Sequence, residues 1–153
     1  MSKNQLIELI KIGEGLKLEF KEKFNASIGK TICAFANASG GKIILGVKDN
    51  EEIIGASISN REFSQIQDIT RNMDPSLEVS IKKIENLIII KVPEGNKKPY
   101  SINGHFYLRT GANSQQLKRD EIKEFFQEEN LVRFDEKLNK DFELDKDFDE
   151  YKF

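Results

Sequence analysis

Three acidic residues in this chain stand where they could share a divalent cation. Glu14 and Glu19 lie five apart around a short alternating segment, GEGLKLEFK, and Asp49 closes an apolar run, KIILGVKD. Three carboxylates with open water positions are the ligand set that hard Mg2+ or Mn2+ prefers, and such an ion activates water for phosphodiester cleavage. The chain holds 26 Asp and Glu, however, so spacing alone favours ordinary surface carboxylates. A second set is basic: Lys97, Lys98, His105, Arg109, Lys118 and Arg119, interleaved with Tyr100, Phe106 and Tyr107. Alternation along HFYLR puts His105, Tyr107 and Arg109 on one face, a combination that contacts a phosphate backbone and stacks a base on Tyr107. The same pattern also describes an edge strand whose polar face is simply wet. Gly29-Lys30-Thr31 looks like the end of a phosphate-binding P-loop, but the glycine needed five residues earlier is Phe24, and the match fails. Lys30 then reads as a solvent-facing helix lysine, and as the one foothold for a nucleotide.

The elements that must position these residues follow from periodicity. NQLIELIKIG places Leu6, Ile7 and Ile10 at helical spacing and stops at Gly13. LKLEFK alternates strictly, which predicts a half-buried strand with Glu19 pointing away from the core. Residues 27–39 predict a helix with Ile28, Ile32, Phe35 and Ala36 inward and Lys30 and Asn37 on the opposite face, ended by Gly40-Gly41. KIILGVKD reads as a buried strand, DNEE as a turn, and IIGASI as its hairpin partner. A helix over about 60–73 stops before Asp74-Pro75. LEVSIKKIE and NLIIIKVPE predict two more strands, and YSI with HFYLR a hairpin around Asn103-Gly104. A last helix covers about 118–129, followed by a weakly structured acidic tail. The expected fold is α+β, a mixed sheet of about six strands in hairpins packed with three to four helices. The expected division is a domain over 1–130 and a tail over 131–153.

With 153 residues, the chain has one domain's worth of material. Its 24 Lys and Arg against 26 Asp and Glu give a formal charge of −2, which excludes a wholesale basic coat. The charge is unevenly divided. Residues 1–119 hold 18 Lys and Arg against 13 Asp and Glu, whereas residues 120–153 hold 6 against 13. Cys33 is the single cysteine, so no internal disulfide forms, and with the single His105 it cannot complete a Cys/His zinc site. No apolar run approaches the roughly 18 residues of a membrane span, and the expected location is the cytoplasm.

Three blocks in this order, GEGLKLEFK, KTICAFANASGGKIILGVKDNEEIIG and FYLRTGANSQQLKRDEI, resemble the Schlafen AlbA-type domain from about residue 12 to 130. The resemblance implies an α/β domain that binds DNA or RNA, found in transcriptional regulators, divergent AAA ATPases and RecG-related helicase-like proteins, usually N-terminal to a further region, and the expectation is that the full-length protein carries such a C-terminal region. In eukaryotic Schlafen proteins the domain is similar to a metal-dependent RNA-cleaving nuclease. That family's Glu-x4-Glu-Phe-Lys pattern falls on Glu14 and Glu19, and its acid after Gly-Val falls on Asp49. The nuclease-active relatives use two such domains, so a comparable groove here requires a homodimer. The resemblance thus sets a nucleic-acid-binding module, meeting phosphates through Lys30, Lys97, Lys98, His105, Tyr107, Arg109, Lys118 and Arg119, beside two alternatives. One is a Mg2+- or Mn2+-dependent endoribonuclease; the other is an ATP-binding regulatory domain.

Overall fold

The computed structural model describes the backbone of residues 1–152 and the side chains of residues 1–135, 137 and 138. The fold is α+β, with four helices and seven strands in two sheets. In chain order the elements are α1 (Lys3–Ile12), β1 (Leu18–Lys21), α2 (Ile28–Asn37), β2 (Gly41–Leu45), α3 (Asn60–Arg71), β3 (Ser80–Ile84) and β4 (Leu87–Val92). They continue with β5 (Ser101–Ile102), β6 (His105–Thr110), β7 (Asn113–Gln116) and α4 (Arg119–Lys152). Residues 1–117 and 118–153 form two separate units. Among the described residues no helix is long and apolar enough to cross a membrane.

In the first unit, strands β1-β2-β4-β3 form a four-stranded sheet in which β1 runs parallel to β2 and the other pairs are antiparallel. Each face carries its own apolar cluster. On one face α1 lays Leu6 and Ile10 against Leu18, Phe20, Ile44, Leu87 and Ile89. On the other, α2 packs Ile28, Ile32 and Phe35 against Ile43, Leu45, Ile88 and Ile90. The small sheet β5-β6-β7 adds Tyr107 to that second cluster, and Tyr100 joins it from just before β5, so α2 lies between two sheets. A helix covered on all sides must be apolar nearly all round. Nine of the ten α2 residues are buried, and only Lys30 is exposed.

Local sequence explains the helix ends. Ser2 and Ser59 each accept the backbone N–H three residues on, while Gln5 and Glu62 return the favour to the cap. Gly40 turns α2 into β2 at φ +76°, and a Cβ there would lie 2.7 Å from the Glu94 nitrogen and 2.8 Å from the Val92 oxygen. Only glycine meets both the left-handed backbone and that close approach.

Several expectations need correction. IIGASI is not a strand: only an isolated bridge joins Val47 to Ile53, because Gly46 (φ +105°) and Gly55 (φ +81°) bend the backbone out of a ladder. The strands divide between two sheets, and β7 is an addition whose sequence, NSQQ, has no apolar residue for periodicity to detect. Asn37 is not on a wet face but is 3% exposed. The expected weakly structured tail is instead the continuation of α4, in a stretch that has no Gly or Pro after Gly111 to stop a helix. Lys118 begins that unit with its N–H donating to Glu121 Oε1 at 2.9 Å, half of a capping box. The expectations for side chains beyond residue 138 lie outside the described residues.

Candidate functional site

The three sequence blocks meet at Arg109. Its place on β6 turns the guanidinium inward, 3% exposed and 4.7 Å from the centre of the Phe35 ring on α2. Nε and Nη2 both donate to the Gly15 carbonyl, at 3.1 and 3.0 Å, and Nη2 also donates to the Leu18 carbonyl at 3.0 Å. Nη1 donates to Glu19 Oε1 at 2.7 Å and to Ser114 Oγ at 3.0 Å. All five N–H groups of the guanidinium are therefore used, which is how a buried cation meets its desolvation cost. Alternation along HFYLR predicts Arg109 as an outward-facing phosphate contact. The structure corrects this, because α2 and the segment 15–19 cover that face of β6.

Glu19 is correspondingly committed. Its Oε1 is taken by Arg109, and its Oε2 accepts from Thr31 Oγ at 2.7 Å with Lys21 Nζ at 3.4 Å. Burial pushes the Glu19 carboxyl up, but the hydrogen bonds from Arg109 and Thr31 and the charges of Lys21 and Arg109 outweigh it and hold it below the ordinary value. Glu19 does point away from the Leu18–Phe20 face, as alternation requires, but into a second layer instead of solvent.

Glu14 and Asp49 lie in the same neighbourhood. The Glu14 carboxyl is raised, first by burial and then by the negative charges of Glu19 and Asp49, against the lowering effects of the Phe20 backbone and Arg109. Glu14, half-buried, thus feels the charge of both Glu19 and the exposed Asp49. The three acids do not form a cation cage. Among the described residues no three His, Cys, Asp or Glu side chains stand together as ligands, and both oxygens of Glu19 already have partners. As folded, this donor set does not fit Mg2+ or Mn2+.

The basic candidates divide. Lys30, Lys97, His105, Lys118 and Arg119 are exposed. Lys98 is half-buried and paired with Glu94 at 2.8 Å, while His105 Nδ1 is 3.2 Å from Gln116 Nε2. Tyr107 is 6% exposed and packs in the α2 core, so its ring cannot stack a base where it stands. Lys30 has no phosphate loop beside it: Gly29 is buried, and a Cβ on it would lie 2.5 Å from Ile102 and 3.1 Å from Ile69. Gly29 is a packing position where α2 passes close to α3 and β5.

Two groups escaped the sequence reading. Thr31, Ser114 and Asn37 hold the site together, and Asn37 does so by bonding three backbone groups. Its Nδ2 donates to the carbonyls of Tyr100 (2.9 Å) and Tyr107 (2.8 Å), and its Oδ1 accepts from the Tyr100 N–H at 2.6 Å. Polar residues inside the apolar stretch TICAFAN were the available signal. The other group is Lys42 and Lys91, each set into an otherwise apolar strand, and Lys82 of β3, whose proximity depends on strand register.

Comparison with known proteins then bears on this geometry. A family model described as "Schlafen, AlbA_2" matches residues 14–118, the interval that holds Glu14, Glu19, Asn37, Asp49, Arg109 and Ser114. A protein of Ureaplasma parvum serovar 3, named as the uncharacterized ATP-binding protein UU034, is 40% identical over 88 residues, covering 54% of this chain and 25% of its own length. The crystal structure of the DIP2311 protein from Corynebacterium diphtheriae superposes with a TM-score of 0.53 at 18% identity, over 72% of this chain and 23% of that one. That likeness concerns the fold. The chain spans about a quarter of the length of either protein.

Proposed function

The chain belongs to the Schlafen, AlbA_2 family, and on that premise we propose that it is a nucleic-acid-binding domain of a larger regulatory or helicase-like protein. Exposed cations meet the phosphate backbone: Lys30 on α2, Lys97 in the loop before β5, His105 at the start of β6, and Lys118 and Arg119 at the start of α4. With Tyr107 in the core, affinity comes from phosphate contacts and not from stacking. Such binding discriminates weakly among sequences and weakens steeply with salt.

The observation that carries binding over cleavage is the saturation of Glu19. A carboxylate bonded at one oxygen to a buried guanidinium and at the other to a buried threonine is a structural ion pair, and releasing it to a metal would strand Arg109. A second reading, nucleotide binding, is favoured by the name of the Ureaplasma relative, although the aligned stretch is a quarter of that protein.

One experiment separates the three. Labelled DNA and RNA oligonucleotides are titrated with the protein across a salt series, and in parallel incubated with it in Mn2+ or in EDTA. Binding without cleavage, falling with salt, is the expected result. Cleavage that requires Mn2+ and disappears in Asp49→Asn at unchanged melting temperature would establish the nuclease instead. A rise in melting temperature with ATP, without oligonucleotide binding, would establish the nucleotide site.

A further inference from the structure

The face of the four-stranded sheet turned away from α2 is covered by α1 at one end only. Strand alternation places on it Lys42 and Ile44 of β2, Leu87, Ile89 and Lys91 of β4, and Ser80, Lys82 and Ile84 of β3. Leu6 and Ile10 of α1 cover the end at Ile44, Leu87 and Ile89. At the other end Lys42 and Lys91 are direct cross-strand partners. Ser80 is the partner of Lys91 on its other side, and Lys82, opposite Ile89, sits diagonally from it. Lys42, Ser80, Lys82 and Lys91 line one hollow of about 170 Å³ together with Met1, Ile84 and Ile89.

None of these three ammonium groups has an acidic partner among the described residues. Like charges directly opposite on neighbouring strands repel. Both β2 and β4 are inner strands, where apolar side chains are the usual occupants and where every other residue of the pair's faces is apolar or glycine. An anion between the lysines removes the repulsion. The hollow is smaller than the roughly 300 Å³ at which small-molecule pockets begin, so it takes one phosphate-sized group and not a whole nucleotide. It also has no aromatic side chain to hold a base. A site that grips one phosphate and leaves the rest of its ligand outside suits a nucleic-acid backbone.

We propose that Lys42, Lys82 and Lys91, with the Ser80 hydroxyl, hold a backbone phosphate of a bound nucleic acid on the sheet face opposite α2. The source of the phosphate rests on the nucleic-acid reading above; the site itself rests only on the register of β2, β4 and β3. It is a second contact surface, separate from Lys30, which lies across the sheet on α2.

The test uses the full chain, the triple variant Lys42→Gln, Lys82→Gln, Lys91→Gln, and the single variant Lys91→Glu. The single variant replaces the repulsion at Lys42 with a cross-strand ion pair, so it keeps the fold while lowering the charge of the site and occupying Lys42 with a carboxylate. A labelled duplex is titrated across a salt series, and melting temperatures are recorded with and without inorganic phosphate. Both variants are expected to bind the duplex about tenfold or more weakly at low salt, and the triple variant to lose about 0.9 from the slope of log affinity against log salt. Phosphate is expected to raise the melting temperature of the wild type and of neither variant. Unchanged duplex affinity and slope in both variants overturns the proposal. If phosphate still stabilises only the wild type in that case, the site belongs to a free phosphate instead. If the wild type binds no nucleic acid, the nucleic-acid reading fails and takes this proposal's backbone assignment with it, while the phosphate melting shift still reports separately whether the lysine site exists.

Discussion

Across 90 positions of sequence, Arg109 Nη1 donates to Glu19 Oε1 at 2.7 Å, and neither side chain is more than 13% exposed. This pair joins β6 of the small sheet to β1 of the large one. It also gives the second acid of the Glu-x4-Glu-Phe-Lys pattern a role that needs no metal. The two motif blocks depend on each other through it: without Arg109, Glu19 is a buried anion, and the carbonyls of Gly15 and Leu18 lose their donor.

Arg109→Ala and Glu19→Ala are accordingly expected to destabilise the protein by about 3–5 kcal/mol each, read as a shift in the urea midpoint at unchanged slope. Arg109→Lys should not rescue, because an ammonium cannot reproduce five N–H groups in a planar fork. A Glu19 variant of near wild-type stability would contradict the structural role. For the same reason, loss of cleavage in Glu19→Ala would report damage to the fold, so Asp49→Asn is the sound probe of hydrolysis.

The two neighbouring glutamates should respond to pH in opposite senses. Glu19 is held below its unfolded value, so its contribution is present above that value and is lost as pH falls through the folded one. Glu14 is raised, so the folded state binds its proton more tightly, and stability falls as pH rises from the unfolded value through the folded one. Glu14→Gln should therefore raise the melting temperature at neutral pH, with the gain shrinking as pH falls through the raised folded value toward the ordinary carboxylate value of 4.5. A gain that is independent of pH would dissociate Glu14 from the Glu19 and Asp49 charges.

Asn37→Ala removes the side-chain partner of the Tyr100 N–H and of the Tyr107 carbonyl, and leaves the Tyr100 carbonyl only the weak Cys33 thiol donor, at roughly 1–3 kcal/mol for each buried group left unsatisfied. Asn37→Asp should be worse than Asn37→Ala, since a carboxylate would face the carbonyls of Tyr100 and Tyr107 where Nδ2 now donates. Denaturant melts of the two variants check the order.

Lys30→Ala with Lys97→Ala should leave the melting temperature unchanged, because both side chains are exposed. On the binding reading the pair should weaken oligonucleotide affinity and reduce the salt slope by about 0.9 for each duplex phosphate contact removed. Equal affinities for wild type and the double variant, measured by anisotropy at low salt, would take these two lysines out of the interface.

Deleting residues 131–153 removes an excess of acids from the chain and should tighten nucleic-acid binding at low salt, with the difference closing as the Debye length shortens to about 8 Å near physiological ionic strength. Affinities of the full and shortened chains at matched salt check this.

What the sequence determined by itself is local. Alternation in LKLEFK marks β1, and the pairing of Asn103 with Gly104 marks the β5–β6 turn, where both adopt positive φ. The glycine pair after α2 is legible because the backbone geometry at Gly40 admits nothing larger. The three blocks also identified the family, since residue types at fixed spacing carry that information without coordinates. Which face of a strand meets solvent was decided only by the tertiary structure. Period two separates the two sides of β6 but cannot say that α2 covers the side bearing Tyr107 and Arg109, nor that the large sheet carries a helix on each face, α2 on one and α1 over part of the other. A polar residue within a covered face reads as exposed until its partner is known, and for Arg109 that partner is 90 residues away. Register has the same character: Lys42 and Lys91 become neighbours only when β2 and β4 pair, and no local propensity encodes that distance.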